Sequence, residues 1–301
     1  MENTKFNYKP IILRVYNSTD KNLLDILKIE NKVLFEHDEI YSQLEELVKI
    51  RNPSARINNH NLDLYINEHL KGKKIDEYGV WVYYSWNQQL VHLLDEEEFA
   101  EVRTNRNQYK ITKEEKYILS TKKIGIIGLS VGQSIALTLS MERSFGELRL
   151  ADFDSIELSN LNRIRTSVCN LGVPKVIVTA REILEIDPFL NIICYVDGIT
   201  EHNITTFLTQ NEKLDILVDE CDSLDIKILA RYKCRDFKIP VLMDTSDRGM
   251  IDVERFDLVN GLPLLHGRIE DVQLENLKDL TNEQKIPIML KMLGAENISL
   301  R

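Results

Sequence analysis

The stretch KIGIIGLSVGQSIALTLS (123–140) decides the fold of this chain. It opens with a short apolar run, turns at GLSVG (128–132) and continues with helical periodicity. Glycine at the end of a buried strand allows a tight turn and lets a phosphate approach the backbone N–H groups that open the next helix. We therefore predict a strand–turn–helix unit in which Gly128, Ser130 and Gly132 contact a nucleotide. Taken alone, the motif is equally compatible with an ordinary turn between a strand and a helix.

The same alternation of strand and helix continues beyond this unit. Further strands are predicted at ELRLAD (147–152), NIICYV (191–196), DILVDE (215–220) and IPVLMD (239–244). Strands separated by helices favour an α/β fold: a doubly wound, mostly parallel sheet with helices on both faces. MIDVERFDL (250–258) predicts one more strand, which we expect to be antiparallel. Helices are predicted at 133–145, 174–186, 202–209, 224–237 and in the charged tail 276–301.

The first third of the chain has a different pattern, which predicts a smaller α+β region at residues 1–105. The α/β domain would then occupy residues 106–301. The elements expected in the first region are a helix at YSQLEELVKIR (41–51), a hairpin formed by VWVYYSW (80–86) and LVHLL (90–94), a surface turn at DEEE (95–98) and a linker at RTNRNQ (103–108).

Composition excludes several classes of function. The net charge of −10 disfavours nucleic acid or an acidic membrane as a general partner. We find neither an apolar run long enough to span a bilayer nor a signal-peptide pattern at the start of the sequence, and we predict a cytoplasmic protein. The four cysteines show no C-x-x-C spacing, so the sequence indicates neither a zinc knuckle nor a redox pair.

Two acidic residues stand at the end of the second predicted strand, in the sequence LADFD (150–154). In a nucleotide-binding βαβ unit, a carboxylate at this position accepts the ribose hydroxyls. We predict that Asp152 binds ribose and that Asp154, at the same junction, belongs to the nucleotide site. An acid at a strand end also occurs as a simple cap, so the position alone leaves that alternative open.

A cluster of amides and cations follows, in NLNRIR (160–165). A dinucleotide does not need this cluster, but a triphosphate carries more charge and needs cations to hold it. The planar guanidinium of Arg163 suits phosphate, and Asn160 and Asn162 stand beside it. Lys175 begins a predicted helix, where a cation opposes the helix dipole. We therefore expect an anion near it. For both cations the alternative is a solvated surface charge.

The sequence DECD (219–222) ends the fourth predicted strand. Ligands of open α/β sheets bind at the carboxyl ends of the strands, and a carboxylate there can hold Mg²⁺ against phosphate oxygens. We predict this role for Asp222. Its alternative role is the N-cap of the following helix. Cys221, between acids, should have a raised pKa and react poorly.

Together these motifs resemble the adenylating domains of ThiF, MoeB and the ubiquitin-activating enzymes, over about residues 110–260. The resemblance implies that Asp152 binds the ribose of ATP, that Asn160, Arg163 and Lys175 hold and polarise the triphosphate, and that Asp222 serves Mg²⁺ and the adenylate. It implies attack of a carboxylate, such as the C-terminus of a ubiquitin-like protein or peptide, on the α-phosphate. It also implies a homodimer in which an arginine from the second subunit reaches the site, and Arg106 matches that arginine.

A finer resemblance is to a bacterial ThiF-like subfamily whose larger members carry a nitroreductase-like domain. It rests on YGVWVYYSWNQQLVHLL (78–94), GLSVGQSIALTLS (128–140) and DTSDRGM (244–250), and Arg248 in the last segment is a candidate near the acyl acceptor. The chain departs from the superfamily in the middle of its glycine loop, where Ser130 and Val131 replace glycines. No cysteine follows Cys234, which disfavours a protein thioester.

Three functions follow from these observations. The first is ATP- and Mg²⁺-dependent adenylation of a carboxylate on a protein, a peptide or a small molecule, with catalysis by Arg163, Lys175 and Asp222. The second is a nucleotide-binding pseudoenzyme or scaffold, which the altered glycine loop favours. The third is an NAD-linked oxidoreductase, which the cations at 163 and 175 disfavour.

Overall fold

The computed structural model describes residues 4–244, 250–269, 277 and 280–293. The chain divides into two compact units: Met1–Tyr117 with Leu184–Phe189, and Ile118–Ile183 with Leu190–Arg301. The division between 105 and 106 that we infer from the sequence stays a prediction. None of the helices in the described ranges combines the length and apolar character that a membrane span needs.

The first unit contains a four-stranded sheet in the order β1-β3-β4-β2. The predicted hairpin is confirmed, since β3 and β4 are antiparallel with Val82 opposite Val91. The α2 helix is also confirmed and presents Leu44 and Leu47, both fully buried, to a small core. The strands are β1 (Ile11–Leu13), β2 (Phe35–Asp38), β3 (Val80–Tyr84) and β4 (Gln89–Leu93), and the helices are α1 (Ser18–Ile29), α2 (Ile40–Arg51), α3 (Leu62–Leu70) and α4 (Glu96–Arg103). The next helix, α5 (Lys113–Ser120), begins in the first unit and ends in the second.

Two sequence predictions in this unit are wrong. The acidic run 95–98 is not a surface turn, because Asp95 is the N-cap of α4 and its carboxylate accepts the N–H of Glu96 at 2.8 Å. Acidic side chains stabilise the first turn of a helix through the helix dipole. The predicted linker 103–108 is structured as well: Arg103 ends α4, and Asn105–Asn107 form a 3-10 turn.

The second unit contains a six-stranded sheet in the order β10-β9-β8-β5-β6-β7. Its first five strands in the sequence are parallel, and β10 pairs antiparallel with β9. The predicted doubly wound sheet is therefore confirmed. The strands are β5 (Lys123–Ile127), β6 (Glu147–Ala151), β7 (Asn191–Tyr195), β8 (Ile216–Asp219), β9 (Val241–Asp244) and β10 (Ile251–Glu254).

The helices of this unit lie between its strands, as predicted, with small differences at their ends. The helix predicted over 133–145 runs from Gly132 to Glu142 and ends where Arg143 takes a left-handed conformation with φ of 53°. Of the tail predicted as helical (276–301), Asn282–Leu293 is a helix, while 276, 278–279 and 294–301 lie outside the described residues. The other helices are α6 (Gly132–Glu142), α7 (Lys175–Ile186), α8 (Ile204–Thr209) and α9 (Leu224–Phe237).

Candidate active site

A cavity of about 380 Å³ lies in the second unit where β5, β6 and β8 end. The carboxyl ends of parallel strands are the usual ligand-binding edge of such a sheet. Most of the residues that we predict for the site line this one cavity: Gly128, Ser130, Asp152, Asp154, Asn160, Arg163, Lys175 and Asp222.

The two glycines of the loop have different roles. Gly128 has φ of +89°, and a Cβ atom there would lie 2.5 Å from the carbonyl oxygen of Glu220 and 2.7 Å from the nitrogen of Cys221. The loop therefore approaches the end of β8 as closely as glycine permits. A Cβ atom on Gly132 would lie 2.7 Å from Cγ2 of Ile126. Gly132 thus lets α6 pack on β5, and it is not among the residues that line the cavity.

Asp152 connects the glycine loop to the end of β6. One carboxylate oxygen accepts the N–H of Leu129 at 2.7 Å, and the other accepts the N–H of Asp154 at 2.8 Å. Burial raises the pKa of Asp152, while these two N–H donors and Lys175 act in the opposite direction. The side chain is thereby fixed at the wall of the cavity, and each oxygen keeps a lone pair for a further donor.

Lys175 forms an ion pair with Asp154. Its Nζ atom lies 2.8 Å from Oδ2 of Asp154, and its backbone N–H donates to the backbone carbonyl of Asp154, also at 2.8 Å. The lysine side chain is only 7% exposed, so it cannot simply turn into water. The anion that the sequence predicts near this cation is supplied, in the structure, by the chain itself.

Arg163 is held by three acceptors near the mouth of the cavity. Its Nε donates to Oγ of Ser130 at 2.8 Å, and its Nη1 donates to Oδ1 of Asn162 at 2.9 Å and, at 3.4 Å, to the backbone carbonyl of Ser159. The serine that replaces a loop glycine therefore positions the arginine. Asn162 supports Arg163 and does not line the cavity.

The side chain of Asn160 hydrogen-bonds to the nearby backbone. It is buried, and its side-chain oxygen accepts the N–H of Glu157 at 3.0 Å in a reciprocal capping box. This contact fixes the start of the short 3-10 helix Leu158–Asn162, which leads directly to Arg163.

Asp222 is exposed and lines the cavity. The alternative role as helix N-cap is wrong, because Ser223 caps α9 by accepting the N–H of Ile226. The carboxylate of Asp222 is therefore available to a ligand at the cavity wall.

The two residues between Asp219 and Asp222, Glu220 and Cys221, both have a raised pKa. Burial raises the pKa of Glu220 to about 7, although its carboxylate accepts the N–H of Asp244 at 3.2 Å. The thiol of Cys221 donates to Asp219 at 3.1 Å, and burial, followed by the charge of Asp219, raises its pKa. The predicted increase is confirmed, although burial is its largest cause.

A buried ionic network lies beneath this wall, and sequence reasoning missed it. Oδ2 of Asp219 lies 2.5 Å from Nη1 of Arg231, and Lys227 lies 3.3 Å from Oδ1. Arg231 also contacts Glu254 at 2.5 Å. Burial opposes ionisation of Asp219, but the two cations together lower its pKa. The signal in the sequence is the i, i+4 spacing of Lys227 and Arg231 on a helix face that also carries Leu224 and Cys234.

Arg106 is exposed in the 3-10 turn Asn105–Asn107 of the first unit, and Arg248 lies outside the described residues. Within the described ranges, no group of three or more His, Cys, Asp and Glu side chains is arranged to hold a metal ion.

Residues 103–252 match the ThiF family. This part of the chain is a ThiF-family domain. The match includes every predicted site residue, and it places the cavity inside the ThiF-family domain.

Curated relatives agree with this assignment. An uncharacterised protein of Mycobacterium tuberculosis (strain CDC 1551 / Oshkosh) is 42% identical over 227 residues, which are 75% of this chain and 31% of that protein. The tRNA threonylcarbamoyladenosine dehydratase of Bacillus subtilis (strain 168) is 25% identical and is matched over 52% of this chain and 61% of its own length. The molybdopterin-synthase adenylyltransferase of Haemophilus influenzae is 26% identical, with 46% and 57% covered.

The chain thus spans about a third of the mycobacterial relative and about three fifths of the other two. The mycobacterial match is longer than the ThiF-family domain itself. Its 227 residues exceed those from 103 to 301, so it includes part of the first unit.

Proposed function

We propose that this ThiF-family domain uses ATP to adenylate a carboxylate, with release of pyrophosphate. The observation that carries the proposal is the convergence of Asp152, Arg163 and Lys175 on one cavity at the carboxyl edge of the sheet. One of the relatives is named as an adenylyltransferase, which supports the reaction class. The cations distinguish the site from that of an NAD-linked oxidoreductase, because a dinucleotide does not require them.

In the proposed reaction, Asp152 accepts the ribose hydroxyls and Gly128 lets the phosphates approach the loop. A carboxylate oxygen of the substrate attacks the α-phosphorus, and the bond to the pyrophosphate oxygen breaks. Arg163 and Lys175 stabilise the charge that develops on the phosphate oxygens. The attacking group is already ionised near neutral pH, so no general base is needed.

Asp222 is the proposed ligand of Mg²⁺. This ion keeps several water molecules and is usually held by one or two carboxylates together with substrate phosphates. The exposed carboxylate of Asp222 on the cavity wall fits that requirement. When bound, Mg²⁺ would neutralise part of the phosphate charge.

The carboxylate donor belongs to the same proposal. We propose the C-terminus of a ubiquitin-like protein or peptide, or a small carboxylic acid, and a homodimer in which Arg106 of a second copy reaches the nucleotide. Cys221 is not the expected acceptor, because its raised pKa keeps the thiol protonated. The adenylate would therefore react without a protein thioester.

The test is ATP–pyrophosphate exchange by the purified chain with Mg²⁺ and a panel of donors: peptides ending in Gly-Gly, lysate peptides and small carboxylic acids. Lys175→Ala and Asp222→Ala should abolish the exchange. Lys122→Ala is the matched control, because Lys122 forms an ion pair of similar length with Asp215 (2.9 Å) at the opposite edge of the sheet. ATP binding without exchange for any donor would instead identify a nucleotide-binding domain without turnover, and hydride transfer with NAD would identify an oxidoreductase.

A further inference from the structure

Gln133, the second residue of α6, is 1% exposed and makes three hydrogen bonds with its side-chain amide. Its Oε1 accepts the N–H of Arg165 at 2.8 Å. Its Nε2 donates to the carbonyl oxygen of Arg165 at 3.1 Å and to Oε2 of Glu182 at 2.9 Å. One side chain therefore binds both backbone groups of a residue 32 positions away.

The orientation of this amide is fixed by its partners. Nε2 faces two acceptors and Oε1 faces a donor, so the flipped amide would lose all three hydrogen bonds. Buried polar groups that lose their partners cost more free energy than a typical hydrogen bond contributes. We therefore expect both hydrogen bonds between Gln133 and the backbone of Arg165 to be stable.

The segment that Gln133 binds, Ile164–Arg165, belongs to no helix or strand. Ile164 is 3% exposed and packs in a small cluster with Ile156 and Val178. Gln133 holds the next residue by its backbone, as a neighbouring strand would. The segment is thus anchored at Ile164 and Arg165, immediately after Arg163.

Arg163 makes a second contact between the same two parts of the chain. Its guanidinium contacts Ser130, which lies in the loop that leads into α6 and three residues before Gln133. The loop and the arginine segment are therefore connected twice, once by Arg163 and once by Gln133.

We propose that Gln133 is a positioning residue that holds Arg163 over the nucleotide cavity, acting through the backbone of Arg165. The inference rests on the proposed function, in which Arg163 binds the phosphates of ATP. Gln133 is not among the residues that line the cavity, so it acts on the nucleotide only through Arg163. Replacing Gln133 should therefore lower the affinity for a ligand that carries phosphates and leave the affinity for the nucleoside unchanged.

The experiment compares the affinities of wild type and Gln133→Leu for ATP and for adenosine, by isothermal titration calorimetry. Leucine has a similar size but makes none of the three hydrogen bonds. We expect ATP affinity to fall about tenfold or more, as for the loss of a well-placed charged contact, and adenosine affinity to change less than about twofold. Ser140→Ala is the control, because Ser140 is fully buried on the same helix and its hydroxyl bonds to Ala136 within that helix.

A second pair of variants tests the hydrogen bonds themselves. Gln133→Glu keeps the shape but sets a carboxylate against the carbonyl of Arg165 and against Glu182, so ATP affinity should fall. Adding Glu182→Gln restores one amide–carboxylate pair and should recover part of that loss. Equal loss for ATP and adenosine, or no difference between Gln133→Leu and Ser140→Ala, would overturn the positioning role.

Hydrogen exchange of the Arg165 amide, measured without nucleotide, separates this inference from the proposed function. Exchange should accelerate at least about tenfold in Gln133→Leu, because the amide loses its acceptor. An unchanged exchange rate would refute the inference that Gln133 holds the backbone of Arg165. A wild type that binds neither ATP nor adenosine would refute the proposed function, and the exchange result alone would then decide whether Gln133 holds the segment.

Discussion

The ammonium group of Lys175 lies 2.8 Å from the carboxylate of Asp154, with the lysine almost buried and the aspartate half exposed. The pair lies in the wall of the candidate nucleotide cavity. Oδ2 of Asp154 accepts a hydrogen bond from this ammonium group, so a phosphate that enters the cavity must compete with Asp154 for the lysine donor.

We expect Asp154→Asn to tighten ATP binding about threefold to tenfold, because the lysine charge is no longer neutralised and the cavity loses a negative charge. Because Asp154 is half exposed, the free energy of unfolding should fall by no more than about 1 kcal/mol. Calorimetric titration with ATP and urea denaturation measure the two effects. Weaker ATP binding in this variant would instead indicate that Asp154 contacts the nucleotide directly.

Gly128→Ala should destabilise the protein by about 3 kcal/mol or more, because the new Cβ atom would meet the backbone of Glu220 and Cys221 and the residue would keep a positive φ. Gly172→Ala is the matched control: Gly172 has φ of +79° but no atom within 4 Å of the added Cβ, so about 1 kcal/mol is expected. Urea denaturation gives both values. Equal losses would show that the contact with Glu220 is not tight.

Arg231→Leu should destabilise the protein by about 3–5 kcal/mol, because Asp219 and Glu254 would remain buried without their shared cation. Adding Glu254→Gln should recover part of the loss by removing one of the unpaired charges. Thermal and urea unfolding of the single and double variants provide the measurement. Additive effects of the two substitutions would argue against a coupled network.

A pH dependence is expected from Asp95 in the first unit. Burial opposes ionisation of Asp95, but hydrogen bonds from Arg14 and from the N–H of Glu96 outweigh it and lower its pKa. A carboxyl with a lowered pKa in the folded state stabilises the protein above its unfolded pKa of about 3.9 and loses that contribution as the pH falls through the folded value.

Asp95→Asn should therefore lower the free energy of unfolding at pH 7, and by less at pH 4. The side chain is 38% exposed, so the difference should stay near 1 kcal/mol after screening by solvent. Urea denaturation at the two pH values measures it. A larger loss at pH 4 than at pH 7 would contradict the assignment.

From Lys123 to Glu254 the local pattern is sufficient to predict the order and type of the strands and helices, whereas the helix Lys113–Ser120 at the start of the ThiF-family domain is not predicted. Short apolar runs, glycine at Gly128 and the acid at Asp152 each depend on residues within one strand–turn–helix unit. The antiparallel strand β10 and the hairpin β3–β4 were predicted on the same basis. The surface turn predicted at 95–98 is wrong, because the same charges suit a solvated turn and the first turn of a helix equally well.

The sequence by itself determined which chemical groups stand at the strand ends, since parallel strands bring those ends to one edge whatever their partners. Only the tertiary structure decided how the groups are held. The partners of Arg163, Lys175 and Asp219 are Ser130, Asp154 and Arg231, which lie 33, 21 and 12 positions away, and Gln133 meets Arg165 across 32 positions. Contacts between residues so far apart depend on the packing of helices against the sheet, which no local pattern encodes.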